Sequence, residues 1–303
     1  MKKRFFSFLI VLLISLPFLT GCNDVIDFVS DVLNEQSESR YSETKVEGME
    51  VHFIDVGQAD SALIRLDGKN ILIDAGDWNG NEVVPYLENI GVETIDIMVG
   101  SHEHADHIGQ MDKVIEHFDV GEVWLPGNMT SSQVFERLLT AIDQNEIDYY
   151  EVRAGEEFEI DQLHIEIVSP KEVTGNLNND SIVMKLTYGE VSFLFTGDAE
   201  KKAEATILDS GVDIHSTILK VGHHGSDTSS TDDFIAKINP EVAVISVGEG
   251  NTYNHPARVT LDKLKQRKVD VYATKTHGNV IISTDGESYH IETDKEGKVT
   301  PGD

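Results

Sequence analysis

The sequence predicts an α/β fold of two sheets covered by helices. Three observations carry that expectation. Short β-rich runs outnumber helical patterns between residues 49 and 293, hairpin signals such as Tyr188-Gly189-Glu190 are mixed with strand–helix crossovers, and 40% of the 303 residues are hydrophobic, enough for a sizeable core. A simple doubly wound sheet would alternate strand and helix throughout, which this chain does not do. No internal repeat or low-complexity segment interrupts the pattern.

The chain opens with Lys2, Lys3 and Arg4, followed by the uncharged apolar stretch Phe5–Thr20. That stretch is 16 residues long, whereas a bilayer-spanning helix needs ~20. Residues 1–21 therefore read as an export signal, and Leu19-Thr20-Gly21-Cys22 resembles a bacterial lipoprotein signal in which Cys22 is lipidated. The expected location is outside the cytoplasm, anchored to the bacterial membrane through lipid. Cys22 is the single cysteine, so no intramolecular disulfide can form and stability must come from the core. Residues 22–48 carry seven acids between Asn23 and Glu47 and read as an acidic tether, with a short amphipathic segment at 25–33.

Removal of the leader's three basic residues takes the net charge from −30 to −33. So acidic a surface repels nucleic acid and anionic lipid at long range. An anionic substrate would need a locally positive site, which bound metal supplies most directly.

From Met49 onward the elements follow in order. Strands are expected at 51–56, 62–66 and 70–74, then a helix built on Val83, Val84, Leu87 and Ile90 and closed by Gly91. The apolar strand 95–99 runs into Gly100-Ser101. Helices are expected at 107–118, 132–144, 199–210, 231–238 and 257–266, where apolar positions recur at helical spacing. Further strands are expected at 123–125, 163–168, 182–187, 191–195, 217–221, 242–247, 271–273 and 280–284. The domain is bounded at 49–293, with 294–303 as a polar tail.

Six of the twelve histidines fall in three loops that each follow an apolar strand. The first reads Ser101-His102-Glu103-His104-Ala105-Asp106-His107. Spacing by two puts His102 and His104 on one side of an extended segment. Asp106 and His107 then face another point, which suits two adjacent metal sites. Imidazole and carboxylate together favour Zn²⁺, with Mn²⁺ or Fe as alternatives. Neither a Walker loop nor a dinucleotide fingerprint is present.

The run His-x-His-x-Asp-His resembles the signature of the metallo-β-lactamase superfamily. Asn70–Gly76 (NILIDAG) resembles the family's first motif, and Phe195-Thr196-Gly197-Asp198 a later one. The resemblance implies an αββα sandwich with a dinuclear metal site at the strand ends, Asp74 orienting the site from behind and Asp198 bridging two metals. A narrower likeness, to the ComEC-type branch, rests on Phe53–Ser61, Leu219–Ser226 and Tyr253-Asn254-His255-Pro256, with Ala59 where that branch usually has Gly. That branch includes the hydrolase domain of a competence DNA-uptake channel, to which nuclease activity is attributed. None of the channel's membrane helices is recognisable here.

The resemblance implies metal-assisted hydrolysis, most readily of a phosphodiester, with water as nucleophile. By it, His102, His104 and Asp198 hold one divalent ion, and Asp106, His107, Asp198 and His255 hold the second. His223 and His224 then contact phosphate or donate a proton, and an exchange of His223 with His255 is the alternative. Many family members carry a further histidine ligand before the bridging Asp. Here the sequence reads Asn178-Asn179-Asp180-Ser181, so Asp180 either supplies oxygen to the first metal, favouring Mn²⁺, or belongs to a polar strand-entry turn. His52, His117, His164, His215, His277 and His290 read as structural.

The block 258–275 holds Arg258, Lys263, Lys265, Arg267, Lys268 and Lys275 against Asp262 and Asp270. It is either a solvated helix or a positive lip guiding an anionic substrate, DNA or RNA included. No stable protein partner is expected. A lactone, β-lactam or phosphocholine ester is the competing substrate class, and a non-catalytic metal-binding surface lipoprotein the competing non-enzyme reading.

Overall fold

The computed structural model describes residues 47–302. The signal, Cys22 and nearly all of the 22–48 tether lie outside the described residues. The first half of the chain forms β1 (Met49–Phe53), β2 (Ser61–Leu66), β3 (Lys69–Ala75), α1 (Val83–Asn89), β4 (Thr94–Val99), α2 (Met111–His117), β5 (Asp119–Leu125), α3 (Gln133–Gln144) and β6 (Asp148–Glu151). The second forms β7 (Glu157–Ile160), β8 (Leu163–Ser169), β9 (Val183–Tyr188), β10 (Val191–Phe195), α4 (Lys201–Ser210), β11 (Ile218–Lys220), α5 (Asp232–Ile238) and β12 (Val242–Ile245). It continues through α6 (Arg258–Gln266), β13 (Asp270–Ala273), α7 (Thr274–His277), β14 (Val280–Thr284) and β15 (Tyr289–Thr293).

One sheet has eight strands in the order β15-β14-β1-β2-β3-β4-β5-β6, the other seven in the order β13-β12-β11-β10-β9-β8-β7. The strand period of two sorts each apolar run between two faces. In β3, Ile71 and Ile73 join the core between the sheets, while Leu72 joins the layer under α1–α3. In β10, Phe193 and Phe195 point into the inter-sheet core, and Leu194 into the layer under α4–α6. Phe53 of the first sheet stacks on Phe195 of the second, ring centroids 5.8 Å apart. Strands buried on both faces read as continuous hydrophobic runs, which is why the sequence exposed so many of them. The result is the expected four-layer αββα sandwich.

Two kinds of element differ from expectation. β6, β7 and β15 fall outside the expected strands: all residues of β6 are exposed, so it has no apolar signature, whereas β7 alternates over only four residues and turns Phe158 and Ile160 onto the inter-sheet core. The segment 294–302, expected as a polar tail, is tied to the domain by backbone bonds and one apolar contact. Lys295 N donates to His277 O, Val299 packs on the α4–α6 layer, and Gly302 N donates to Pro256 O. Among the described residues no helix is long and apolar enough to cross a membrane.

In the first sheet β3, β4, β5 and β6 run parallel, and in the second β10, β11, β12 and β13 do. Asp74 lies near the carboxyl end of β3, and the loops leaving β4, β10, β11 and β12 carry the 101–107 cluster, Asp198, His223-His224 and His255 respectively. Open parallel sheets offer such strand ends as ligand sites because the chain turns there without a side chain from the next strand filling the gap.

Candidate metal centre

The site is built from the back forward. Asp74 sits in the left-handed region at the end of β3, with φ of 58°, a strained setting for a residue with a Cβ. Its Oδ1 accepts from Ser101 N at 2.7 Å and its Oδ2 from Ser101 Oγ at 2.8 Å. Oδ2 also lies 2.9 Å from His107 Nδ1. That contact fixes the ring so that Nε2 faces the opposite way, as a carboxylate behind a ligating imidazole does.

Asp198 faces Nε2. One of its oxygens, Oδ1, lies 3.3 Å from His107 Nε2, and the other, Oδ2, lies 3.8 Å from His102 Nε2. Asp198 is held from behind by its own N–H, which donates to Ser181 Oγ at 3.1 Å. Gly197 permits the approach: its φ is 49°, and a Cβ there would stand 3.0 Å from Ser181 and 3.1 Å from Ser101. His104 Nδ1 meets His102 Nε2 at 2.9 Å. On the far side of His107, Asp106 Oδ2 lies 3.3 Å from His224 Nε2. Two groups of ligand atoms thus converge, one on His102, His107 and Asp198 and the other on Asp106, His107 and His224. A third grouping, Asp60, Asp74 and His107, lies behind them.

These residues fit divalent cations on their own chemistry. His107 Nε2 and Asp198 Oδ1 are both buried without a hydrogen-bond partner, which is costly unless something positive stands between them. Burial, with the neighbouring His107 charge, drives His102 well below the usual histidine range, and burial also lowers His104, so both present neutral lone pairs. Burial alone would lower His107 too, yet the Asp198 and Asp74 carboxylates hold it well above its usual range. Asp198, against its own desolvation, is held well below the carboxylate range by His107 and His102.

The second histidine loop departs from expectation. His223 and His224 form a short 3-10 turn, Gly222–Gly225, and both are left-handed, with φ of 50° and 53°. His224 is buried, its Nδ1 3.0 Å from Ser246 O and 3.2 Å from Asp60 Oδ1, so Nε2 points at Asp106. It occupies the position expected of His255. His223 is partly exposed, with Nδ1 3.0 Å from Thr228 Oγ1 and Nε2 3.5 Å from Asp198 Oδ2. His255 is in neither converging group. Its ring stacks on Tyr253 at 5.7 Å and lies 5.8 Å from that of His223. Burial, with the charges of His224 and His223, lowers His255 to about 4.

Asp180 is likewise elsewhere. Its carboxylate accepts from Thr174 N, Thr174 Oγ1 and Gly175 N, each at 2.8 Å, and the polar strand-entry turn is the reading the geometry favours. The same loop ties down the site without joining it: Ile182 N donates to Ser101 O, and Asn179 Oδ1 accepts from Ala203 N in the first turn of α4. His117 and His164 take structural roles, on Lys113 O and Glu159 respectively. Two residues carry weight that composition did not reveal. Asp60 and Lys220 form a buried ion pair of 2.6 Å between the sheets, and the only trace of it in the sequence is that each lies in one of the branch-like blocks.

The basic block divides. Arg267 pairs with Asp232 at 2.8 Å, and Lys263 Nζ donates to Ser230 O at 2.9 Å, so these two brace α6 against the start of α5. Lys265 and Lys268 are exposed.

Comparison with known proteins agrees with this architecture. The profile of the Metallo-beta-lactamase superfamily matches residues 54–249. ComE operon protein 3 of Bacillus subtilis is 30% identical over 251 residues, covering 76% of this chain and 32% of its own length. Recombination protein 2 of Haemophilus influenzae is 30% identical over 241 residues, covering 77% of this chain and 29% of its own. Competence protein ComA of Neisseria gonorrhoeae is 28% identical over 74% of this chain. The chain spans about a third of the length of these relatives. Among solved structures, CmlA, a diiron beta-hydroxylase from Streptomyces venezuelae, superposes with a TM-score of 0.54 at 16% identity over 80% of this chain and 55% of its own. Igni18, a metallo hydrolase from Ignicoccus hospitalis, gives 0.51 at 14% identity over 78% of this chain and all of its own. At such identities the likeness concerns the fold. The matched profile covers more than half the chain and spans the 101–107 cluster, Asp198 and the His223-His224 turn, and on that ground the chain belongs to the metallo-β-lactamase superfamily as a metal-dependent hydrolase.

Proposed function

We propose that this hydrolase cleaves phosphodiesters, nucleic acid among them, at a centre holding two divalent cations, Zn²⁺ by preference and Mn²⁺ as the alternative. The observation that carries the reading is Asp198, whose two oxygens address two different histidines, at 3.3 and 3.8 Å. His102, His104 and Asp198 Oδ2 would hold one ion, and Asp106, His107, His224 and Asp198 Oδ1 the other. Bound there, the ions supply Lewis acidity and a water of lowered pKa. An imidazole-rich donor set favours Zn²⁺, and Asp180, engaged on the 174–175 turn, no longer argues for a harder ion.

The chain's own residues then divide the remaining work. His223 keeps the substrate role expected of it: Thr228 anchors Nδ1 and leaves Nε2 beside Asp198, where it can contact a phosphoryl oxygen or give a proton to the leaving group. His255, stacked between Tyr253 and the histidine turn, is the second substrate-facing imidazole. The phosphodiester class draws support from the competence and recombination relatives and from the blocks at 53–61, 219–226 and 253–256. We further propose export and lipid anchoring at Cys22, which Cys22→Ser tests by releasing the protein from the membrane fraction or leaving the precursor uncleaved.

The decisive experiment is metal analysis of the purified protein, followed by turnover of DNA, RNA, small phosphodiesters, a lactone and a β-lactam with each metal added. Two bound ions and phosphodiester cleavage support the reading. Opening of a lactone or β-lactam with every phosphodiester left intact would leave the hydrolase scaffold and remove the substrate class.

A further inference from the structure

A buried ion pair spans the two sheets directly behind the second histidine loop. Lys220 is the last residue of β11, Asp60 precedes β2, and both are 4% exposed. Lys220 Nζ donates to Asp60 Oδ2 at 2.6 Å and to Val221 O at 3.2 Å. The other oxygen, Asp60 Oδ1, lies 3.2 Å from His224 Nδ1, which it shares with the hydrogen bond to Ser246 O at 3.0 Å. The backbone of Asp60 is engaged as well: its N–H donates to Asp106 O at 3.1 Å, and its C=O accepts from Gly76 N at 2.8 Å. One residue therefore touches the main chain of Asp106, the ring of His224, and the loop that follows Asp74.

As a stabiliser alone the pair is a poor choice. Desolvating two charges offsets most of their attraction, and apolar residues of the same volume hold a core as well or better. What apolar residues cannot do is set a ring. A carboxylate on Nδ1 directs the imidazole and leaves the Nε2 lone pair free, and loss of such a partner typically weakens metal binding about 10–100-fold. Asp60 is unsuited to be a ligand itself, because Lys220 occupies Oδ2 and His224 faces Oδ1.

We propose that Asp60, clamped by Lys220, is a positioning residue for the second cation: it aims His224 Nε2 at Asp106 and fixes the separation of the two sheets at that point. The inference rests on the two-cation reading above and adds to it a specific support for one of the two sites. Lys220 acts through Asp60, and Asp60 acts through His224.

The test uses the full-length chain stripped with chelator, titrated with Zn²⁺ against a competing chelator, and melted without metal in parallel. The variants are Asp60→Asn, Lys220→Met and the two combined. The combined variant removes both buried charges and so retains the metal-free melting temperature better than Lys220→Met, which leaves Asp60 unpaired. In Asp60→Asn and in the combined variant, one Zn²⁺ equivalent weakens about 10–100-fold while the other stays within about two-fold of the parent. Parental affinity for both equivalents in either variant overturns the proposal. So does a loss of both equivalents in proportion to the fraction unfolded, which would make the pair structural only. A parent chain that binds no Zn²⁺ and no Mn²⁺ would instead overturn the two-cation reading, and this inference with it.

Discussion

The loop 101–107 and the turn 222–225 both present histidines to the same centre, but by different means. In the first loop the donors are spread over a series of bends and one turn with right-handed φ, where His102 and His104 meet at 2.9 Å and His107 faces Asp198. In the second loop two adjacent histidines sit at φ of 50° and 53°. There the backbone conformation, not the spacing, decides which ring is buried and which is half open. Ser246, Asp60 and Thr228, none of them adjacent, settle the matter. Spacing suffices where the donors are dispersed along one loop, and where two adjacent histidines are left-handed, tertiary partners decide which ring faces the site.

The largest effect expected from this contrast is at the residue the two loops share. Asp198→Ala should abolish tight binding of both ions and lower turnover by more than about 10²-fold, the cost of removing one positioned electrostatic group at a reacting centre. Metal content after dialysis, read beside kcat, checks it. Retention of one full equivalent would mean that the loops hold their ions independently.

The next comparison lies inside the second half of the site. His224→Ala should remove one equivalent of metal, whereas His255→Ala should keep both and lower kcat by about 10²–10⁴-fold if it serves in proton transfer. Metal stoichiometry separates the two variants even where both are inactive. The reverse outcome, with metal lost only in His255→Ala, would restore His255 as the closing ligand.

How far the sequence could carry this reading follows from the same physics. The sandwich was legible because strands such as β3 and β10 are buried on both faces and leave unbroken apolar runs. The first cluster was legible because four ligand-type side chains in six residues have no other economical explanation. β6 was not, since an exposed edge strand has no apolar face to display. Nor was the division of labour between His224 and His255, which is set by Ser246 O and Asp60, 22 and 164 positions from His224. Asp180 stayed open in the sequence because an Asp before a strand looks the same whether it meets a cation or the N–H groups of Thr174 and Gly175.

That ambiguity makes Asp180 the third test. The buried Asp180 carboxylate satisfies three donors of the exposed 174–175 turn, so Asp180→Ala removes those bonds and should destabilise the fold by about 2 kcal/mol, the scale of hydrogen bonds to a charged group. The metal count should remain two at a temperature where the variant is folded. Loss of one ion from a variant whose melting temperature is unchanged would return Asp180 to the ligand set.

The smallest effect is expected from Lys265, exposed on α6, and Lys268, exposed just past its end. A helix rises 1.5 Å per residue, so Lys265 lies roughly 10 Å along α6 from its first residue, Arg258, and Lys268 follows beyond the end of the helix. At physiological salt the Debye length is ~8 Å, which leaves charges that far away largely screened from a phosphate at the metals. Lys263 and Arg267 are already engaged with Ser230 O and Asp232. Reversal of Lys265 and Lys268 to Glu should therefore leave KM for a nucleic-acid substrate within about two-fold at 0.15 M salt. At 0.01 M, where the Debye length reaches ~30 Å, KM should rise several-fold while kcat stays fixed, since steering alters encounter and not chemistry. Should KM rise steeply at 0.15 M, the substrate must lie along α6 in direct contact with these lysines, and the second loop would then be one wall of a longer groove.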